Sequence, residues 1–106
     1  MAGKKKSPTT RRDEQTLVKE RVKRPERHKV VLHNDDYTPM EFVVQLLETL
    51  FGRSAAESTR IMLHVHRNGI GIAGVYSREI AEAKAVKSVK IARESGYPFL
   101  ATTEPE

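Results

Sequence analysis

Three consecutive residues rich in hydrogen-bond acceptors, Asn34-Asp35-Asp36, stand between a short apolar run and a helix-start signal, and His66 follows a second apolar stretch. Alternation continued out of the preceding strand puts Asn34 and Asp36 on one side and turns Asp35 away. Amide and carboxylate oxygens accept hydrogen bonds, and a neutral imidazole accepts one more. Acceptors converging on one rim suit a positive group with several donors, and a protonated α-amino group is such a ligand. The bland alternative is that Asn and Asp make the turn and help to cap the next helix.

Apolar residues lie close to this cluster. Met40 and Val43 are three apart, as are Met62 and Val65, so each pair shares one face of a helix, and His66 sits four beyond Met62 on the edge of the second face. Methionine is unbranched and adaptable, and two of them suit a pocket for a large apolar or aromatic side chain. The competing reading is ordinary core. His66 joins the two halves, because it lies beside the pocket and can contribute an acceptor to the rim.

Other chemistries fit less well. His33, His64 and His66 with Asp35 or Asp36 invite a metal, yet His64 and His66 are two apart on a helix and do not face each other, and no HExxH motif is present. No metal and no cofactor is expected. Asp36 could orient His66, but no serine elbow, cysteine or phosphate loop accompanies them, so the chain reads as non-enzymatic. The stretch Gly69 to Gly74 lacks the GxGxxG spacing and any Lys-Ser/Thr pair, and its glycines are better explained by close packing.

The elements that must position these residues are legible in outline. Lys29 to His33 reads as a strand with Val30 and Leu32 on one face and Val31 and His33 on the other. Thr38 as N-cap, Pro39 at the first helical position and Glu41 three residues after Thr38 form a capping-box signature. Phe42, Val43, Leu46, Leu47, Leu50 and Phe51 supply that helix's buried face before Gly52. Ser54 with Glu57 opens a second helix running to about Arg67, and Asn68-Gly69 closes it. Residues 70–76 form a second strand. Ser77 caps a third helix through about Ser95, with Ile80, Ala81, Lys84, Lys87 and Ile91 spaced roughly by turns, and Gly96 ends it. Pro98 to Thr102 is a short last strand. The order β-α-α-β-α-β, with three strands and three helices, predicts an α/β (α+β) two-layer sandwich containing antiparallel pairs.

Charge is divided unevenly. Residues 1–28 hold ten Lys/Arg and four Asp/Glu, leaving nine and ten in the remainder, so the basicity belongs to the tail. Residues 1–27 are expected to be a flexible basic extension and residues 28–106 the folded domain. Leu17, Val18 and Val22 offer at most one weak helical stripe before Pro25. Lys4, Lys5, Lys6, Arg11 and Arg12 keep a nucleic-acid reading open as a minor alternative. With no cysteine and no apolar run of membrane-spanning length, a cytoplasmic location is expected, without a membrane partner.

The stretches Val31 to Val43 (VLHNDDYTPMEFV), Ile61 to His66 (IMLHVH), Gly74-Val75-Tyr76 and Glu79 to Lys84 (EIAEAK) together resemble ClpS, the adaptor of the Clp protease, and Gly96 to Leu100 extends the likeness. The resemblance covers about residues 28–104. It implies an adaptor for N-degrons, substrates beginning with Leu, Phe, Tyr or Trp, which are delivered to ClpA or a ClpA-like Hsp100 unfoldase working with ClpP. It implies α-amino contacts from Asn34, Asp35, Asp36 and His66, with Thr38 shaping the rim. The pocket it implies is Met40, Val43, Met62, Val65 and Phe99, with Met40 gating against β-branched side chains. Glu79, Glu82 and Lys84 match an unfoldase-facing surface, although Glu79 is also favoured electrostatically at a helix start. Phe99 departs from the Leu common in the family, which alters the pocket wall. A monomer is expected. The alternative is a regulatory domain that binds the unfoldase without selecting N-degrons.

Overall fold

A computed structural model describes residues 26–106. The expected tail and its weak helical stripe lie outside the described residues, apart from Glu26 and Arg27. The elements are β1 (Arg27–His33), α1 (Met40–Thr49), α2 (Ala55–Asn68), β2 (Ile70–Ser77), α3 (Arg78–Glu94) and β3 (Leu100–Pro105). The sheet order is β2-β1-β3, and β1 pairs antiparallel with both neighbours. The expected order and antiparallel content are borne out. Placing β1 in the centre makes it the most buried strand, which accounts for its run of Val30-Val31-Leu32.

Val30 and Leu32 are fully buried in the main core with Leu47, Phe51, Ile61 and Ala81. Val31 points the other way and is also buried, screened by its cross-strand partners Ile72 and Thr102. The register with β2 slips between Val30, opposite Gly74, and Val31, opposite Ile72, so Ala73 is an extra residue on β2. This bulge leaves Ala73 buried while its carbonyl accepts from Arg53 Nε at 2.9 Å.

The serine caps hold. Ser54 Oγ accepts from Glu57 N at 3.1 Å and Ser77 Oγ from Ile80 N at 3.4 Å, each satisfying a donor that a helix start leaves unpaired. Thr38 does not cap α1. Pro39 occupies the N-cap position without a side-chain bond, and the Thr38 hydroxyl donates instead to Asp35 Oδ2 at 2.8 Å. The Thr38 hydroxyl is drawn into the loop by the Asp35 carboxylate and the helix begins one residue later than the signature places it, so the expected capping box does not form.

Two further boundaries and one buried stripe differ from the sequence reading. The first helix stops at Thr49 and does not reach Phe51. The third helix buries Ala81, Ala85, Ser88 and Ala92, whereas Ile80 and Lys87 are exposed and Lys84 and Ile91 are half-buried. Small residues on that stripe let α3 lie close to the sheet, a preference that an apolar count overlooks. The last strand begins at Leu100, so Pro98 and Phe99 belong to the connection before it. Among the described residues no helix is long and apolar enough to cross a membrane.

Candidate functional site

The site is built where the ends of several elements meet. Leaving β1, the chain passes through Asn34, whose backbone N–H donates to Gly69 O at 2.8 Å. That bond fastens the loop to the C-terminal end of α2, beside His66. Asp35 then organises the turn: Oδ1 accepts from the N–H groups of Tyr37 at 2.8 Å and Thr38 at 2.7 Å, and Oδ2 takes the Thr38 hydroxyl. Partial burial works to raise the Asp35 pKa. The hydrogen bonds from Thr38 and Tyr37 and the positive charge of Arg93 outweigh it and hold the carboxyl below its ordinary value.

The two aspartates therefore differ. Asp35 accepts three hydrogen bonds inside the loop, which makes it a builder of the rim. Asn34 and Asp36 are exposed, as is His66 one turn from the end of α2, and all three line a single cavity. Its apolar wall comes from Met40 and Val43 in the first turn of α1, Met62 and Val65 in α2, and Phe99 ahead of β3. Met40 is 43 % exposed at the mouth, while Phe99 is 1 % exposed at the back. The helical spacings thus place Met40 with Val43 and Met62 with Val65 against one shared space.

The cavity holds about 180 Å³. An apolar protein cavity of about 150 Å³ accommodates benzene, so this one admits a side chain of benzyl size. Polar acceptors stand at the opening and carbon atoms line the interior. Such a space recognises a molecule that presents a donor-rich cation next to one bulky apolar group.

Packing fixes both walls. A Cβ added to Gly71 of β2 would stand 2.6 Å from Val65 Cγ2 and 3.3 Å from His64 Cδ2, so glycine is what lets β2 approach α2 at the level of the cavity. On the other wall the Phe42 ring meets Tyr97 at 5.0 Å and Phe99 at 6.3 Å, both edge-to-face.

Two residues of this region were missed by sequence reasoning. His33 also lines the cavity and its Nε2 lies 2.7 Å from Thr102 Oγ1. Arg93 reaches from α3 to the carbonyls of Tyr97 and Phe99. Its one sequence signal was a cation in a last helical turn followed by glycine.

Glu79, Glu82 and Lys84 lie on the N-terminal half of α3 and do not line this cavity. Glu79 and Glu82 are exposed, and Glu82 pairs with Arg78 at 3.2 Å. Lys84 is half-buried: Nζ donates to Leu50 O at 2.7 Å and stands 5.3 Å from the Tyr76 ring and 5.9 Å from that of Phe51. It satisfies a carbonyl at the end of α1, an internal task. No group of three or more His, Cys, Asp or Glu is placed to hold a metal among the described residues.

Comparison with known proteins gives one answer. The family model described as "ATP-dependent Clp protease adaptor protein ClpS" matches residues 23–102. The curated protein of that name from Lawsonia intracellularis is 49 % identical over 88 residues, covering 83 % of this chain and 81 % of its own. The one from Acetivibrio thermocellus is 48 % identical over 97 residues, covering 88 % and 98 %. The solved structure of Agrobacterium tumefaciens ClpS2 bound to L-phenylalaninamide superposes with a TM-score of 0.76 at 44 % identity, covering 78 % of this chain and all of that one.

Proposed function

The chain belongs to the ClpS family of Clp protease adaptors, and from that premise we propose that its cavity holds the first residue of an N-degron substrate. The family is non-enzymatic. The chain binds substrates bearing N-degrons and hands them to a Clp-type AAA+ unfoldase, ClpA or ClpA-like, for degradation by ClpP. It works in the cytoplasm as a monomer.

In this reading the α-ammonium group donates to Asn34, Asp36 and His66, while Asp35 and Thr38 keep the rim in shape. The first side chain, Leu, Phe, Tyr or Trp, enters among Met40, Val43, Met62, Val65 and Phe99. The observation that carries the reading is the junction of an exposed acceptor rim with a benzyl-sized apolar interior. L-phenylalaninamide, bound in the Agrobacterium structure, presents a free α-amino group and one benzyl side chain, which is what this cavity's two halves can satisfy. Burial of such a side chain contributes about 1.5–3 kcal/mol. Acetylation removes the positive charge and leaves acceptors unpaired. Delivery uses the α3 surface around Glu79 and Glu82, with Lys84 holding the adjoining end of α1 in place.

Matched fluorescent peptides beginning with Leu, Phe, Tyr, Trp, Ile and Met, each free and acetylated, test this by anisotropy. Selective binding of free, bulky N-termini is expected. Equal binding of free and acetylated peptides, or none, would refute substrate selection and favour a regulatory domain that engages the unfoldase alone.

A further inference from the structure

The connection from α3 to β3 supplies the back wall of the cavity and is held in an unusual way. At the end of α3 the chain makes a complete left-handed close: Gly96 has φ +82°, its N–H donates to Arg93 O at 3.0 Å, and Tyr97 N–H reaches Ala92 O at 2.8 Å. From Tyr97 to Phe99 the backbone runs outside helix and strand. Pro98 in its middle has no N–H to donate. Two carbonyls of this segment, those of Tyr97 and Phe99, accept from a single nitrogen, Arg93 Nη1, at 2.9 and 2.7 Å.

We propose that Arg93 is a positioning residue of the binding site, a clamp that fixes the Phe99 ring as the cavity's back wall by gripping the carbonyls on both sides of Pro98. The inference rests on the adaptor reading for its ligand, though not for its geometry. The guanidinium binds backbone, so it constrains where the segment lies regardless of the side chains displayed. Phe42 supports the same wall from the side-chain direction, through its edge-to-face contacts with Tyr97 and Phe99. With Arg93 gone, Phe42 still packs on the rings, but the carbonyl of Phe99 loses its short bond and the ring can retreat or tilt. A first side chain that reaches the back wall senses this more than one that does not.

A purely helix-capping role is the competing account, since a cation in a last turn is favourable there in its own right. The two accounts differ in what they move. Capping affects stability alone. Positioning of the wall changes the relative affinity for large and smaller first residues.

The test compares Arg93→Met and Arg93→Lys with the parent chain, using Phe- and Leu-initiated peptides and thermal unfolding. For Arg93→Met we expect Phe-peptide affinity to fall about tenfold, equivalent to about 1.4 kcal/mol, with a smaller fall for the Leu peptide. Arg93→Lys, which keeps a charged donor, should recover part of the loss. A Phe-to-Leu ratio unchanged in Arg93→Met, whatever its melting temperature, would overturn the proposal. Should the parent chain bind neither peptide, the adaptor reading fails, and nuclear Overhauser contacts between the Phe42 and Phe99 rings decide on Arg93 separately. Weakened contacts in Arg93→Met support the clamp, and contacts equal to the parent's refute it. If Arg93→Met does not fold, the same ratio and ring contacts in Arg93→Lys decide the matter: values equal to the parent's together with a lowered melting temperature overturn the proposal.

Discussion

Asp35 and Asp36 are neighbours of identical chemistry, and their surroundings assign them opposite roles, so replacing each by alanine should separate stability from binding. Asp36 is exposed at the rim of the cavity, and its loss removes a charged acceptor for the ligand's ammonium group. Hydrogen bonds to charged groups are worth about 1.5–3 kcal/mol, which is about 10- to 150-fold in dissociation constant. Asp36→Ala should therefore bind a Phe-initiated peptide more weakly by that factor and melt like the parent. Asp35 accepts three hydrogen bonds within the loop. Releasing those donors to water on a partly exposed turn costs about 1–3 kcal/mol, and each kcal/mol lowers the melting temperature of a domain this size by about 4–8 °C. Asp35→Ala should melt measurably earlier, with weaker binding as a consequence of the disordered rim. Anisotropy titration and calorimetry on the two variants settle it. If Asp36→Ala binds like the parent, or Asp35→Ala melts like it, the assignment of one aspartate to ligand and the other to loop is wrong.

Three other outcomes are expected. Because the folded-state pKa of Asp35 is lowered, its contribution to stability is present above its ordinary value of 3.8 and is lost as pH falls through the lower folded value. Asp35→Asn should thus be less stable at neutral pH and show a shallower loss of stability below about pH 4, as read by denaturant unfolding across a pH series. Gly71→Ala forces a methyl against Val65 and should destabilise by about 1–3 kcal/mol while weakening peptide binding, because Val65 lines the cavity; unfolding and anisotropy on one sample test both. Met40→Ala should raise affinity for Ile- and Val-initiated peptides relative to Leu, since Met40 stands half-exposed at the mouth; an unchanged ratio in competition binding would remove it as a gate.

What could be read in the sequence was whatever local chemistry decides alone. Ser54 and Ser77 stand directly before their helices, and both caps form as the sequence predicts. Thr38 shows the limit: the capping-box spacing is present, but its hydroxyl turns into the loop toward Asp35 and the helix starts one residue later, with Pro39 as N-cap. Lys84 makes a contact that only the tertiary fold reveals. Its place near the middle of α3 says nothing of the carbonyl of Leu50, which arrives from the end of a different helix. The rim and most of the pocket were legible because helical spacing pairs Met40 with Val43 and Met62 with Val65. Phe99 had no such pattern and entered only through the family resemblance.

The residues that hold the site together explain why the rim can act before any ligand arrives. Asn34 is tied by its backbone to Gly69, the Asp35 carboxylate has organised the turn through Thr38, and Gly71 has let β2 settle against Val65. Each of these ties is made within the chain, so the entropy of ordering them is spent in folding and not in binding. In the proposed reading a free N-terminus meets acceptors already converged, and the surplus shows as affinity for a ligand only one residue deep. This also predicts where specificity can drift without loss of the ammonium site. The rim hangs on β1 and α2, whereas the back wall hangs on the end of α3 through Arg93, which grips backbone, so a change of side chain at residue 99 reshapes the wall and leaves both supports in place.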